Sequence, residues 1–163
     1  MQVTAVYPGT FDPFTNGHID LVRRALRIFP RLVVAVAKNP HKSPLFSVQQ
    51  RLAIIQEAIG GLERVEMDTF DELTVDYVRK KGAQVILRGL RAVSDFEAEF
   101  AMALMNRKIS EDIETVFLMP NLAYTYLSSR LVKEVALLGG NVDELVPPLA
   151  SKLLKERASQ AHS

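Results

Sequence analysis

The chain has 163 residues, 48% of them hydrophobic, which predicts a single domain with its own core. Its net charge is +1 and it has neither a basic run nor an aromatic-interleaved basic patch, so we expect no nucleic-acid surface. The absence of cysteine from the sequence excludes disulfides, thiolate metal sites and a cysteine nucleophile. No apolar run has the length of a membrane span and no signal pattern stands at the N-terminus, so a cytoplasmic protein without a membrane partner is expected.

The chain opens with a predicted strand, a turn and a helix. Residues 2–7 are nearly all apolar and predict the strand, which leads into a turn at residues 8–18. Thr15 and Asn16 are suitable caps for the helix that follows, and Pro30 is expected to end it. Apolar residues that share one face predict this helix: Ile19, Val22, Leu26 and Phe29.

The rest of the chain continues to alternate between strands and helices. A capping box at Ser47–Gln50 predicts a helix to Ile59, and the alternating strand at 64–68 is expected at a sheet edge. The other predicted elements are a strand at 32–37, a helix at 74–81, a strand at 84–87, a helix from a capping box at Ser94–Glu97 to Lys108, a strand at 115–119, a helix at 128–138, and a last helix that begins at Pro147–Pro148 and frays after Arg157.

This order predicts an α/β fold, a Rossmann-like doubly wound five-stranded parallel sheet with helices on both faces. The domain is expected to span residues 1–157, followed by a frayed tail at 158–163. Ligands of such sheets bind beyond the carboxyl ends of the strands, where the strand order reverses. Segments 8–18, 88–91 and 121–130 each follow a strand, so we expect them to meet there.

The first turn has the features of a phosphate site. A helix that begins near Thr15 offers free N–H groups and a partial positive charge to an anion. His18 lies in the first turn of that helix and Thr10 adds a hydroxyl across the loop. Gly9 and Gly17 are expected to let the main chain come close to a ligand.

The sequence has neither the P-loop motif nor a Gly-x-Gly-x-x-Gly after the first strand, which disfavours those nucleotide folds. Thr-x-Gly-His at 15–18 and paired serines at the start of a late helix instead mark the nucleotidyltransferase superfamily. Within it, the chain closely resembles the bacterial phosphopantetheine adenylyltransferase family over residues 1–157. The matching stretches are Tyr-Pro-Gly-Thr-Phe-Asp-Pro at 7–13, Arg-Gly-Leu-Arg-Ala-Val-Ser-Asp-Phe-Glu at 88–97, Met-Asn-Arg at 105–107, Phe-Leu-Met-Pro at 117–120 and Ser-Ser-x-Leu-Val-Lys-Glu at 128–134.

The resemblance implies a reaction and its ligands. ATP would donate its adenylyl group directly to 4′-phosphopantetheine, giving dephospho-CoA and pyrophosphate in coenzyme A biosynthesis, and CoA itself would be a product-type ligand. Mg²⁺ would accompany the ATP, without metal ligands assigned among the side chains. The family resemblance further implies a homohexamer. The apolar second side of the first helix (Leu21, Ala25 and Ile28) is explained either by another subunit or by the sheet.

The same resemblance implies roles for individual residues. His18 would be the catalytic residue, donating a hydrogen bond to the α-phosphate. The acceptor would be held by Thr10, Lys42, Thr74 and Arg88. ATP would be bound by Thr10, Phe11, His18, Gly89, Leu90, Arg91, Glu99, Tyr124, Thr125, Tyr126, Leu127, Ser128, Ser129 and Arg130.

Several of these residues also have an ordinary structural interpretation. His18, Thr74 and the paired serines are suitable helix-start residues, Thr10 suits a turn, and Phe11 suits a core. Lys42 fits a solvated loop, and Glu99 fits an acid near the positive end of a helix. Arg130 stands where many family members have Ser or Thr, and it either adds a phosphate contact or turns outward.

Two other functions are compatible with the Thr-x-Gly-His motif. One is transfer to a different acceptor, such as nicotinamide mononucleotide, or to glycerol 3-phosphate from a cytidine donor. The other is a non-catalytic nucleotide-binding or sensor module, which would keep the phosphate-binding glycines without needing His18. Lys42, Arg88 and the 88–97 stretch argue against the other acceptors.

Overall fold

The structure is a computed structural model that describes residues 3–38, 43–91 and 93–161. Strands and helices alternate along nearly the whole chain, as the sequence predicts. They are β1 (Thr4–Gly9), α1 (Asn16–Ala25), β2 (Arg31–Ala37), α2 (Val48–Ile59), β3 (Val65–Phe70), α3 (Thr74–Lys80), β4 (Val85–Gly89), α4 (Val93–Ile109), β5 (Glu114–Leu118), a 3₁₀ turn (Leu122–Tyr124), α5 (Ser129–Leu137) and α6 (Pro148–Ala161).

The five strands form one parallel sheet in the order β3-β2-β1-β4-β5, which confirms the predicted fold class. The strand order reverses at β1, whose neighbours are β2 and β4; Val6 pairs with Val33 on one side and with Ile86 on the other. Strand β3 lies at an edge, as its alternating sequence predicts. The geometry of a parallel sheet therefore brings the ends of β1 and β4 side by side.

Successive side chains of the central strands enter two separate cores. Ala5 and Tyr7 of β1 belong to a cluster that α1, α2, α5 and α6 cover, whereas Val6 belongs to a cluster covered by α3. This alternation follows from the two-residue period of a strand. Because both faces are covered by helices, β1 and β2 are apolar after their first residues, Thr4 and Arg31, which is why they could be identified from the sequence.

Two helix ends differ from the predictions, and one predicted helix start is confirmed. Helix α1 ends at Ala25 with Leu26 as its C-cap, so Pro30 does not end it; a hydrogen-bonded turn lies between them. Helix α6 continues to Ala161, beyond the expected end at Arg157. The capping box at Ser47 is confirmed, with Gln50 as its partner.

The second predicted capping box, at Ser94–Glu97, includes side chains that the structure does not describe. Helix α4 already begins at Val93, one residue before Ser94, and the side chains of residues 93–95 are not among those described. Within the described ranges, no helix combines the length and the apolar character that a bilayer crossing needs.

Candidate active site

A cavity of about 640 Å³ lies at the carboxyl ends of β1 and β4, where the strand order reverses. The start of α1 and the start of α5 border it as well, so segments 8–18, 88–91 and 121–130 do meet as expected. Predicted site residues among its walls are Thr10, Phe11, His18, Thr74, Arg88, Gly89, Arg91, Glu99, Tyr124, Leu127, Ser128, Ser129 and Arg130.

Three predicted site residues are not among those walls, and a fourth lies outside the described residues. Leu90, Thr125 and Tyr126 do not line the cavity, and the Thr125 hydroxyl donates to the carbonyl of Leu122 at 2.9 Å. The Tyr126 side chain is largely exposed, at 61%. Lys42 lies outside the described residues.

His18 is the third residue of α1 and takes part in the cap of its own helix. Thr15 is the N-cap: its backbone N–H donates to Nδ1 of His18 at 2.9 Å, and its hydroxyl accepts from the His18 N–H. A nitrogen that accepts a hydrogen bond carries no proton, so the neutral imidazole has its proton on Nε2. The cap thereby makes the other ring nitrogen a hydrogen-bond donor.

The surroundings of His18 keep its ring neutral. Burial, and then the charges of Arg91 and Arg88, lower the pKa of His18 to about 3. The ring of Phe14 stacks on the imidazole at 5.2 Å and that of Phe11 meets it edge-on at the same distance. An imidazole in this setting is a neutral donor at physiological pH and does not act as a cation.

The loop after β1 is shaped by Phe11, whose main chain lies in the left-handed region at a φ of 50°. A Cβ on Gly9 would lie 2.7 Å from the Phe11 ring, so packing of this ring explains the glycine at position 9. Phe11 is buried at 4% exposure, which confirms the core interpretation of its ring. Its place in the cavity wall leaves the nucleotide contact as a second role.

Arg88 is held from two sides at the end of β4. Its Nε donates to Glu99 at 2.8 Å and its Nη2 to the other Glu99 oxygen at 2.5 Å, while Nη1 donates to the carbonyl of Pro8 at 2.9 Å. Burial lowers the pKa of Arg88, but the hydrogen bonds and charge of Glu99 outweigh it and the net pKa is raised. The guanidinium is therefore a fixed positive charge at the cavity wall.

The end of β4 is also tied to its neighbours. Arg91 Nη1 donates to the carbonyl of Leu127 at 2.7 Å, which joins β4 to the segment before α5. A Cβ on Gly89 would lie 2.5 Å from Cδ1 of Leu21, so this glycine also leaves room for a side chain of α1 that packs against the strand. Sequence reasoning assigned Gly89 to nucleotide approach alone and missed this packing.

The paired serines combine structural bonds with a place at the cavity. Ser128 is the N-cap of α5 and accepts from the Leu131 N–H at 3.0 Å, and the Ser129 hydroxyl donates to the carbonyl of Pro13 at 2.7 Å. Arg130 pairs with Glu134 at 2.9 Å and its side chain is 88% exposed, although the residue also borders the cavity. Thr74 is not a cap, because Leu73 holds that position before α3.

Three polar residues that support the site were missed by sequence reasoning. Asp12 is buried and accepts from the backbone N–H groups of Leu45 and Phe46, both at 2.9 Å, and from Nζ of Lys133 at 2.7 Å. Lys133 lines the cavity one helical turn after Ser129. That i, i+4 spacing within the quoted 128–134 stretch was the signal that could have identified it.

The third is Arg51, which is 1% exposed in the core under the loop. Its Nη1 donates to the carbonyls of Thr10 at 2.8 Å and Ala37 at 3.0 Å, and its Nε donates to that of Phe46 at 3.2 Å. Burial lowers its pKa and the charge of Asp12 opposes that shift. No sequence pattern distinguishes Arg51 from a surface arginine of helix α2.

The cavity as a whole is suited to anionic ligands. Arg88, Arg91 and Lys133 line it together with the neutral donor His18. The two acids in its walls, Asp12 and Glu99, are paired with Lys133 and Arg88. Its other end is more apolar, with Ala37, Pro44 and Phe70. Among the side chains that the structure describes, no group of three or more His, Cys, Asp or Glu is arranged to hold a metal ion. The geometry fits charge stabilisation of phosphate groups.

The chain is similar to several known proteins. The cytidylyltransferase-like family matches residues 6–135. A phosphopantetheine adenylyltransferase of Geotalea daltonii is 58% identical over 150 residues, which are 92% of this chain and 93% of the relative. The enzyme of that name from Alkalilimnicola ehrlichii is 55% identical over 98% of this chain and 92% of its own.

A solved structure shares the fold at low sequence identity. It is described as a putative nicotinate-nucleotide adenylyltransferase from Vibrio parahaemolyticus. It superposes with a TM-score of 0.69 over 100% of this chain and 98% of its own, at 17% identity. At that identity the likeness establishes the fold alone.

Proposed function

The chain belongs to the phosphopantetheine adenylyltransferase family of nucleotidyltransferases, and from that premise we propose that it transfers the adenylyl group of ATP to 4′-phosphopantetheine in coenzyme A biosynthesis. An oxygen of the acceptor's phosphate attacks the α-phosphorus of ATP. The bond from that phosphorus to the oxygen bridging the β-phosphate breaks, and pyrophosphate leaves. The products are dephospho-CoA and pyrophosphate, and the reaction is reversible.

The observation that carries this proposal is the convergence of a neutral donor and fixed cations on one cavity. The attacking phosphate is already ionised, so the step needs neither a nucleophilic side chain nor a base. It needs two anions to be brought together and the charge on the α-phosphate to be stabilised. Nε2–H of His18 donates to an α-phosphate oxygen as negative charge grows there.

The two ends of the cavity suggest how the substrates are divided. Arg91, the N-terminus of α5 and Lys133 are assigned to the triphosphate, which brings its own Mg²⁺ as part of the substrate. Arg88 is assigned to the acceptor's phosphate, because a fixed guanidinium suits paired oxygens. Thr74 and the apolar wall at Phe70 suit the pantetheine arm.

We extend the proposal to assembly as a homohexamer in the cytoplasm. Helix α4 supports the assembly, because six large apolar side chains along it are about half exposed, an unusual surface for a lone chain. They are Phe96, Phe100, Met102, Leu104, Met105 and Ile109. Light scattering coupled to size exclusion measures the mass, and a particle of one 18.2 kDa chain contradicts this part.

The acceptor is tested by measuring pyrophosphate release from the purified chain. ATP with 4′-phosphopantetheine is compared with ATP plus nicotinamide mononucleotide and with CTP plus glycerol 3-phosphate. We expect release only with the first pair. If another acceptor is preferred, the substrate is reassigned to that acceptor. If no pair releases pyrophosphate, the chain is a non-catalytic nucleotide-binding module and the proposed reaction is wrong.

A further inference from the structure

We propose that Glu99 is a positioning residue that acts on the acceptor through Arg88, and that its effect on the nucleotide is small. This inference rests on the proposed function, and it departs from the ATP-binding role that the family resemblance implies for Glu99. It concerns a single ion pair between helix α4 and strand β4.

The pair has the geometry of a clamp. Both carboxylate oxygens of Glu99 accept from Arg88, one from Nε and the other from Nη2, in a side-on bidentate arrangement. The Pro8 carbonyl holds the remaining nitrogen, Nη1, from the side of β1. The Glu99 side chain is 18% exposed and that of Arg88 is 34% exposed, so water competes little for these bonds. Two strands and one helix thus fix the plane of the guanidinium.

The clamp leaves donors free for a ligand. A guanidinium has five N–H groups, and Glu99 and Pro8 occupy three of them, one on each nitrogen. One N–H on each terminal nitrogen remains, and such a pair can contact two oxygens of one phosphate. Because Arg88 lines the cavity, its fixed plane determines where that phosphate is bound.

Glu99 itself is poorly suited to the triphosphate. Its carboxylate is acceptor-only when ionised, and it would repel phosphate oxygens. Each of its oxygens already accepts from Arg88. Removing the charge therefore releases the guanidinium that binds the acceptor and leaves the ATP side of the cavity as it was.

The test is the split between the two Michaelis constants in a Glu99→Gln variant. We expect the KM for 4′-phosphopantetheine to rise about tenfold, the scale of one lost charge-assisted hydrogen bond, with the KM for ATP changed less than about twofold. Glu99→Asp restores a carboxylate on a shorter stem and should recover part of the loss. Glu97→Gln, an exposed residue of the same helix, is the matched control and should leave both constants unchanged.

A double-mutant cycle separates positioning from general damage. In an Arg88→Ala background, Glu99→Gln should raise the acceptor KM no further, because the group it positions is gone. A rise in the KM for ATP alone, or a full additional rise in the acceptor KM in the Arg88→Ala background, overturns the inference.

Calorimetric binding of 4′-phosphopantetheine to wild type and Glu99→Gln gives the same comparison without turnover. If the wild-type protein binds 4′-phosphopantetheine but releases no pyrophosphate, the proposed reaction is refuted, and calorimetry alone tests the positioning role of Glu99. If the wild-type protein neither binds this acceptor nor releases pyrophosphate, both the reaction and the positioning role are refuted.

Discussion

The assignment of His18 as a neutral donor makes a quantitative prediction about pH. We compare the wild type with His18→Gln, because Gln can keep the capping box with Thr15 while removing the imidazole. The kcat of the variant should fall about 100-fold through loss of the transition-state donor, and its stability should change little. The ratio of the two kcat/KM values then isolates the titration of His18, since ionisation of the substrates affects both proteins alike.

The two possible pKa values of His18 predict different ratios. With a pKa of about 3, the ring is only about 0.1% protonated at pH 6, so the ratio of wild type to variant stays constant between pH 8 and pH 6. With an ordinary pKa of about 6.5, about three quarters of the ring would be protonated at pH 6, and the ratio would fall about fourfold.

The measurement is pyrophosphate release at limiting 4′-phosphopantetheine over this pH range. A fourfold fall in the ratio would refute the neutral ring. A ratio that rises as the pH is lowered would mean that the imidazolium is the active form and that the Nε2 assignment is wrong. A variant with unchanged kcat would make His18 a structural cap only.

Two further predictions concern the supporting residues. Asp12→Asn should lower the free energy of unfolding by about 3–5 kcal/mol, because it leaves Lys133 without its buried partner. Arg130→Ala, which breaks an exposed pair, should lower it by less than about 1 kcal/mol. Urea unfolding measures both losses, and equal losses would contradict the contrast between buried and exposed pairs. Arg88→Ala should weaken acceptor binding by about 1.5–3 kcal/mol and spare ATP in calorimetry; if only ATP binding suffers, the two ends of the cavity have been interchanged.

Much of the fold could be predicted because its signals are local. The apolar runs within β1 and β2 identify strands covered on both faces, and the alternation of β3 identifies an edge strand. Helix ends were less predictable. Pro30 signalled an end that α1 reaches earlier, at Ala25, because a hydrogen-bonded turn intervenes. The end of α6 could not be predicted, because the residues after Arg157 contain no clear helix-stop signal.

The same distinction between local and long-range signals applies to the residues of the site. Residues directly after a strand, such as Arg88, could be placed at the cavity because parallel strands all end at one edge. Bonds between distant segments could not be predicted. The contact of Lys133 with Asp12 spans 121 residues, and that of Arg51 with the Thr10 carbonyl joins helix α2 to the first loop. Such pairs exist only once the tertiary structure has formed.

The central place of β1 also matters while the protein is being made. This strand leaves the ribosome first, yet its partner β4 and the Arg88–Pro8 bond come 80 residues later. The Asp12–Lys133 pair must wait still longer, for synthesis of α5. Until β4 has been made, β1 of a nascent chain can pair only with β2, so its other edge stays exposed, and the cavity walls are complete only after α5 has emerged. Truncated translation products should depend on chaperones and bind no ATP.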